Sequence, residues 1–173
     1  SEWAKFANDK KNEAFLDRIY KVQVPYVLRV DEEIKIYQKL IRESSLSEAP
    51  CAPKTLELLS QFAVMTRLKE PENSSLFSKM RVYNGETLKE TDPNAKSLQE
   101  YRDEAGINEG MTGISTRFAF KILSKVFNYD NEELAANTVH LLYVLEQEVI
   151  KLSLAPEAEE KYLNIIKSIL ASK

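Results

Sequence analysis

Cysteine and histidine are almost absent from the chain, which has one of each among its 173 residues. A single cysteine, Cys51, cannot form an internal disulfide, and this favours a reducing, cytoplasmic compartment. One cysteine and one distant histidine also exclude a four-ligand zinc site, so no metal ligands are expected. Cys51 lies between Pro50 and Pro53, where a buried, inert thiol is expected. His140 stands between two apolar residues, which favours a core or interface position over a catalytic one.

Glycine is also scarce, and three of the four glycines fall between Gly106 and Gly113. The chain has no Gly-x4-Gly-Lys-Ser/Thr loop and no Gly-x-Gly-x-x-Gly motif, so it cannot cradle a triphosphate by itself. No apolar run approaches the roughly 18 residues of a membrane span. The formal net charge of −3 gives no electrostatic attraction to nucleic acid or to an anionic membrane. Because Ser1 is not preceded by methionine, we expect a piece of a longer protein.

Apolar residues recur at helical spacing over most of the chain, which predicts a mainly α fold. The predicted helices cover residues 2–19, a stretch opening at Asp31, 54–69, 98–105, a stretch after Ser115, 130–152 and a last helix opening at Pro156. For the helix at 130–152, Asp130 and Glu133 have the spacing of a capping box.

Two short segments have β patterns instead. Residues 20–24 alternate in polarity and end at Pro25, which predicts one strand whose sheet partners lie elsewhere. Asn84-Gly85 between two short apolar stretches predicts a β-hairpin. The surrounding segment, residues 70–113, is polar and rich in turn formers, and it is either a plain surface excursion or a docking segment.

Arg117 falls in the first turn of the helix that Ser115 caps. A cation at this end opposes the helix dipole by a few tenths of a kcal/mol or more, so an anion outside the helix would offset the cost. The alternative is a solvated arginine paired with a surface carboxylate. Arg18 lies shortly after an apolar triplet, near the C-terminal end of a predicted helix. A cation there is favoured by the helix dipole, which is a sufficient explanation for the residue.

Several long strings in the sequence carry a more specific signal. Gly113-Ile-Ser-Thr-Arg117 resembles the sensor 2 motif in the lid of AAA+ ATPases. The strings APCAPKTLELLSQFAVMTRL, LKEPENSSLFSKMRVYNGETLKETDPNAKSLQEYRDEAG and STRFAFKILSKVFNYD resemble the PrkA serine protein kinase family of bacteria. The resemblance covers at least residues 13–147.

The resemblance implies a domain organisation. Residues 1–28 would end the AAA+ α/β core, 29–152 would form a helical lid with an insertion at 70–113, and 153–173 would lead towards a downstream kinase-like segment. Little or none of that downstream segment is expected in the chain. The family's fold implies a helical lid bundle with a short residual strand or hairpin.

The resemblance also implies roles for the two arginines. Arg117 would reach the γ-phosphate of ATP as sensor 2, and Arg18, in a stretch similar to the family's arginine-finger region, would reach the ATP of a neighbouring AAA+ subunit. The whole protein would use ATP and magnesium to phosphorylate a protein on serine. The chain lacks both Walker motifs and the sensor 1 Asn, so no cofactor is expected to bind it alone.

Two other classes of function stay open. The chain is alternatively a helical protein-interaction module, with residues 70–113 docking a partner. It is otherwise a helix-turn-helix regulator that reads DNA with residues 115–127, although the charge of −3 opposes this.

Overall fold

A computed structural model describes residues 2–20, 22–129 and 135–171. The described part is mainly helical and contains no named strand, which confirms the predicted fold class. Its α-helices are α1 (Glu2–Ala7), α2 (Glu13–Leu16), α3 (Val30–Arg42), α4 (Thr55–Arg67), α5 (Leu76–Tyr83), α6 (Leu98–Ala105), α7 (Thr116–Phe127), α8 (Thr138–Lys151) and α9 (Pro156–Ala171), with a 3₁₀ turn at Lys10–Asn12. None of these helices has the length and hydropathy that crossing a bilayer requires.

Helix α4 lies at the centre of the fold and packs against α3, α5, α7, α8 and α9. It is apolar around most of its circumference, and a helix of this kind is stable only when neighbours cover every side. Its fully buried apolar side chains are Leu59, Phe62, Ala63, Val64 and Met65. The C-terminal end of this central helix therefore lies in the interior, where it contacts the loop that leads into α7.

The strand predicted at residues 20–24 is wrong for the part the structure describes. Tyr20 and residues 22–24 belong to no strand and no helix. Tyr20, Val22 and Val24 are 90%, 67% and 80% exposed. A strand needs a neighbour for its backbone hydrogen bonds, and no described segment supplies one.

The predicted hairpin at Asn84-Gly85 is also wrong, because these residues end helix α5. The amide of Gly85 donates to the carbonyl of Val82 at 3.0 Å, and the amide of Glu86 donates to the carbonyl of Arg81 at 3.1 Å. This pair of bonds, with Gly85 at φ +101°, is a Schellman motif. An Asn-Gly pair is typical of both helix ends and tight hairpins. Here its backbone bonds to the last turn of α5, so it ends a helix.

Residues 70–113 are not a plain surface excursion. The segment contains α5 and α6 and buries Met80, Tyr83, Leu88 and Tyr101. It is therefore part of the core rather than an appendage to it.

The helix predicted over 130–152 begins later than expected. Asp130 and Glu133 lie outside the described residues, and α8 begins at Thr138 with Asn137 as its N-cap. Before it, Ala136 forms an isolated bridge with Cys51. The amide of Ala136 donates to the carbonyl of Pro50 at 3.0 Å, which holds this stretch out of a helix.

The predicted first helix is divided into α1, the 3₁₀ turn and α2. Asp9 accepts a hydrogen bond from the amide of Lys11, which caps a new turn and interrupts the first helix. No residue of these three elements with a described side chain is buried. Trp3, Phe6 and Phe15 form a partly exposed aromatic cluster, with ring centroids 5.7 and 5.8 Å apart.

Candidate functional site

Helix α7 presents Arg117 to solvent from its first turn. Ser115 is the N-cap, and its hydroxyl oxygen accepts from the amide of Phe118 at 3.2 Å, as predicted. Arg117 is exposed, and its side chain forms no ion pair or hydrogen bond with the described residues. The surface carboxylate that the simpler interpretation required is therefore not found among them.

A buried ion pair lies directly beneath the start of α7. Arg67, at the end of α4, donates to the two carboxylate oxygens of Glu33 at 2.9 and 2.7 Å, and both side chains are fully buried. Thr116 donates to the same carboxylate at 3.0 Å. Arg67 also donates through Nε to the carbonyl of Ile114 at 2.8 Å. The residue before Arg117 and the loop leading to α7 are thus bonded to one buried pair.

The same pair also holds the segment that precedes α3. Arg67 donates to the carbonyl of Val27 at 2.8 Å, and its guanidinium lies 5.1 Å from the ring centre of Tyr26. Tyr37 donates to Glu33 at 2.7 Å. Burial, and then the neighbouring Glu33 carboxylate, raise the pKa of Tyr37 far above its usual range, so this phenol stays a donor. Three segments distant in sequence are therefore joined at one point.

Gly113 allows the loop before α7 to approach the end of α4. It has φ +105°, and an added Cβ would lie 2.7 Å from the carbonyl oxygen of Thr66 and 2.9 Å from two carbons of Arg67. Gly110 is similarly close to the segment before α3, since its carbonyl accepts from the amide of Tyr26 at 2.8 Å. A side chain at position 113 would separate α7 from its support.

We expect Gly113→Ala to destabilise the fold by about 2–6 kcal/mol, since backbone strain and overpacking each cost about 1–3 kcal/mol. Gly85→Ala is the matched control, because Gly85 has φ +101° and open space around the added Cβ. Urea denaturation of the two variants isolates the cost of the close approach. Equal losses of unfolding free energy would contradict the steric argument.

Arg18 lies in the turn after α2 and is exposed. Its side chain has no hydrogen bond or ion pair among the described residues. The structure therefore brings Arg117 onto a fixed platform and leaves Arg18 on a sparsely packed surface segment.

Two further charge clusters were not predicted from the sequence; the first is buried, and the second has a buried carboxylate with exposed cations. Lys79 donates to Glu109 and, at 3.0 Å, to the carbonyl of Lys69, while Tyr83 donates to the same Glu109. Burial, with Glu109 as a further cause, raises the pKa of Tyr83. This cluster fixes the 105–110 loop to α4 and α5. The sequence would have indicated this cluster only if α5 and the loop had been predicted to be buried. The interpretation of residues 70–113 as a surface segment or docking segment gave no such prediction.

The second cluster joins α7 to α8. Glu148 is nearly buried and accepts from Lys125 at 2.8 Å and from Lys151 at 3.1 Å. The hydrogen bond from Lys125 is the main cause that lowers the pKa of Glu148. This pairing accounts for Lys125 of α7 and Lys151 of α8, whereas Arg117 has no such partner among the described residues.

The other single-residue predictions concern metal ligands and nucleophiles. The described residues contain no group of three or more His, Cys, Asp or Glu that could hold a metal ion. Cys51 is partly buried, and burial raises the pKa of its thiol, which keeps it protonated and unreactive. His140 packs against the ring of Tyr129 with centroids 4.4 Å apart.

Comparison with known proteins gives two matches to family models. The model described as the PrkA AAA domain matches residues 1–75, and the one described as the PrkA serine protein kinase C-terminal domain matches residues 77–172. The expectation that little or none of the C-terminal segment is present is therefore wrong. The finer division at 28, 70, 113 and 152 stays a prediction. No solved structure matches the chain.

Curated relatives agree with the family models. A protein of Escherichia coli K12 named serine/threonine kinase YeaG is 64% identical over 173 residues, which is 100% of this chain and 27% of the relative. A protein of Bacillus subtilis 168 named ATP-dependent protease PrkA is 36% identical over 171 residues, covering 97% of this chain and 26% of the relative. The chain thus spans about a quarter of these relatives, and it belongs to the PrkA family.

Proposed function

We propose that this chain forms the lid-side part of the ATPase unit of a serine protein kinase, in which Arg117 contacts the phosphates of ATP. The observation that carries the proposal is the exposed guanidinium of Arg117, which has no partner among the described residues and stands one residue from the buried Arg67–Glu33–Thr116 network. Residues outside the chain would bind the nucleotide and its magnesium ion. The chain alone supplies no phosphate cradle.

The network explains how Arg117 would act. An arginine that stabilises charge in a transition state must be held in position before the reaction. Thr116 is bonded to a fully buried carboxylate, so the backbone at the start of α7 has little freedom. A phosphate also offsets the unfavourable position of a cation at a helix N-terminus.

Arg18 is proposed to act on the ATP of a neighbouring subunit. Its segment has exposed aromatic side chains and no buried ones, as expected of a surface that another domain or subunit covers. A guanidinium that enters a phosphate site from a second subunit completes that site only in the assembly. The oligomer is thus part of this proposal.

The names of the two relatives favour different uses of ATP. The relative at 64% identity is named a serine/threonine kinase, and the C-terminal family description specifies a serine protein kinase. We therefore propose phosphoryl transfer to a protein serine. ATP-dependent proteolysis is the second candidate, favoured by the name of the relative at 36% identity. The roles proposed for Arg117 and Arg18 are the same for a kinase and for a protease, because both activities require cleavage of the γ-phosphate bond of ATP.

The deciding experiment uses the full-length protein that contains this chain, with casein as a general protein substrate. Labelled γ-phosphate should appear on serine, and casein should stay intact. ATP-dependent cleavage without labelled serine would replace the kinase proposal with the protease. Arg117→Ala should abolish either activity, whereas Lys121→Ala, an exposed cation one turn later on α7, should retain it. Equal activity in the two variants would refute the role of Arg117.

A further inference from the structure

A cavity of about 320 Å³ lies between the segment before α3, the end of α5 and helix α6. Leu28, Val82, Tyr83 and Leu98 form its apolar wall, and Gly85 lies at its edge. Tyr83 donates its hydroxyl to Glu109, so this wall residue offers the cavity no free polar group. The two remaining lining residues are Arg29 and Arg102.

The two arginines have no anionic partner in this cavity. Both are exposed, and neither side chain forms an ion pair or hydrogen bond with another described residue. No carboxylate lines the cavity. Two guanidinium groups at one cavity repel each other, and an anion between them would remove that cost.

Nearby carboxylates are engaged elsewhere. Glu32 accepts from Lys35 at 2.8 Å, and Glu86 is paired with Arg81 at 2.7 Å. Asp103 accepts from Gln99 at 2.8 Å. Asp31, two residues after Arg29, does not line the cavity. Lys35, and to a smaller extent Arg29, lower the pKa of Glu32. No described carboxylate accepts a hydrogen bond from Arg29 or Arg102, so both guanidinium groups remain available to a ligand.

We propose that this cavity binds a phosphorylated serine of a peptide, with Arg29 and Arg102 holding the phosphate. Arginine binds phosphate oxygens through two parallel hydrogen bonds, and paired arginines are a common phosphoserine receptor. An apolar side chain next to the phosphoserine could pack against the apolar wall of the cavity. Inorganic phosphate has no group that could make this contact. The choice of phosphoserine as the ligand rests on the proposed kinase activity, which would produce it. The identification of the cavity as an anion site does not rest on that activity.

Calorimetric titration of this chain with synthetic peptides tests the site. The probe is a five-residue peptide with phosphoserine between two leucines, compared with its unphosphorylated form and with inorganic phosphate. We expect binding of the phosphopeptide alone at micromolar to millimolar concentration. Arg29→Ala and Arg102→Ala should each weaken it by about tenfold or more, as loss of a charged hydrogen-bonding group does. Arg29→Lys should weaken it less than Arg29→Ala does.

Arg42→Ala is the matched control, since Arg42 is an exposed arginine at the opposite end of α3. It should leave binding unchanged. Equal binding of the unphosphorylated peptide, or binding that survives loss of both arginines, would overturn the proposal. Inorganic phosphate binding as tightly as the peptide would overturn the peptide assignment. The titration needs no ATP, so it can fail or succeed independently of the ATPase proposal.

Discussion

A full-length Arg18→Ala variant should regain ATP hydrolysis when mixed with a partner whose own phosphate-binding loop is disabled, and an Arg117→Ala variant should not. The reason is that the two arginines are proposed to serve different nucleotide sites. The Arg18→Ala subunit keeps a complete site of its own and lacks only the arginine that a neighbour supplies. The disabled partner still carries Arg18 and can supply it.

The Arg117→Ala subunit lacks a group of its own site, and no neighbour can replace it. Alone, each variant should lose about 10³–10⁵-fold in turnover, the range known for arginines that stabilise a transferring phosphoryl group. Such losses correspond to several kcal/mol of transition-state stabilisation. Steady-state phosphate release at several mixing ratios is the measurement.

Lys11→Ala and Lys121→Ala are the controls for the mixing experiment. Both remove an exposed cation, one near Arg18 in the N-terminal segment and one on the helix of Arg117. Neither should change turnover with or without the partner. If the partner rescued both arginine variants, or neither, the proposal that Arg18 serves a neighbour's site and Arg117 its own subunit's site would be refuted. If each variant alone kept full activity, Arg18 and Arg117 would be surface arginines without a role in ATP hydrolysis.

The sequence predicted elements whose signal is local. The cap at Ser115, helix α6 and the opening of α9 at Pro156 follow from residues within one helical turn, and the structure confirms them. The predictions that failed depended on partners distant in sequence. Alternation at residues 20–24 predicts a strand only if another strand is present, and Ala136 leaves the helical pattern because it bonds to Pro50.

The candidate site shows the same division. Arg117 was identifiable because an arginine in the first turn of a helix conflicts with the dipole, which is a local observation. Its support was not identifiable, since Glu33, Arg67 and Thr116 are separated by 34 and 49 residues. Glu33 also had a sufficient local explanation as one of three acidic residues in the first turn of α3. A residue that satisfies a local rule gives no sign that it is also buried against a distant cation.

Removal of either member of the buried pair should destabilise the fold more than any surface substitution. Arg67→Ala leaves the fully buried Glu33 carboxylate without its cation and takes a donor from the carbonyls of Val27 and Ile114. Breaking a buried pair from one side costs about 3–5 kcal/mol. That is a large part of a total stability of about 5–15 kcal/mol, so a fall in the unfolding free energy should be plain in urea titrations.

The surface pair Arg81–Glu86 provides the control, because it has the same residue types and a shortest separation of 2.7 Å, but side chains that are 39% and 44% exposed. Arg81→Ala should cost less than about 1 kcal/mol, since solvent replaces the lost partner. The double variant Glu33→Ala/Arg67→Ala should cost less than the sum of its single variants, because it leaves no unpaired charge in the interior. If Arg67→Ala were no worse than Arg81→Ala, the buried network could not be what fixes the start of α7. Arg117 would then stand on a helix end free to move, and its proposed contact with phosphate would lose its structural basis.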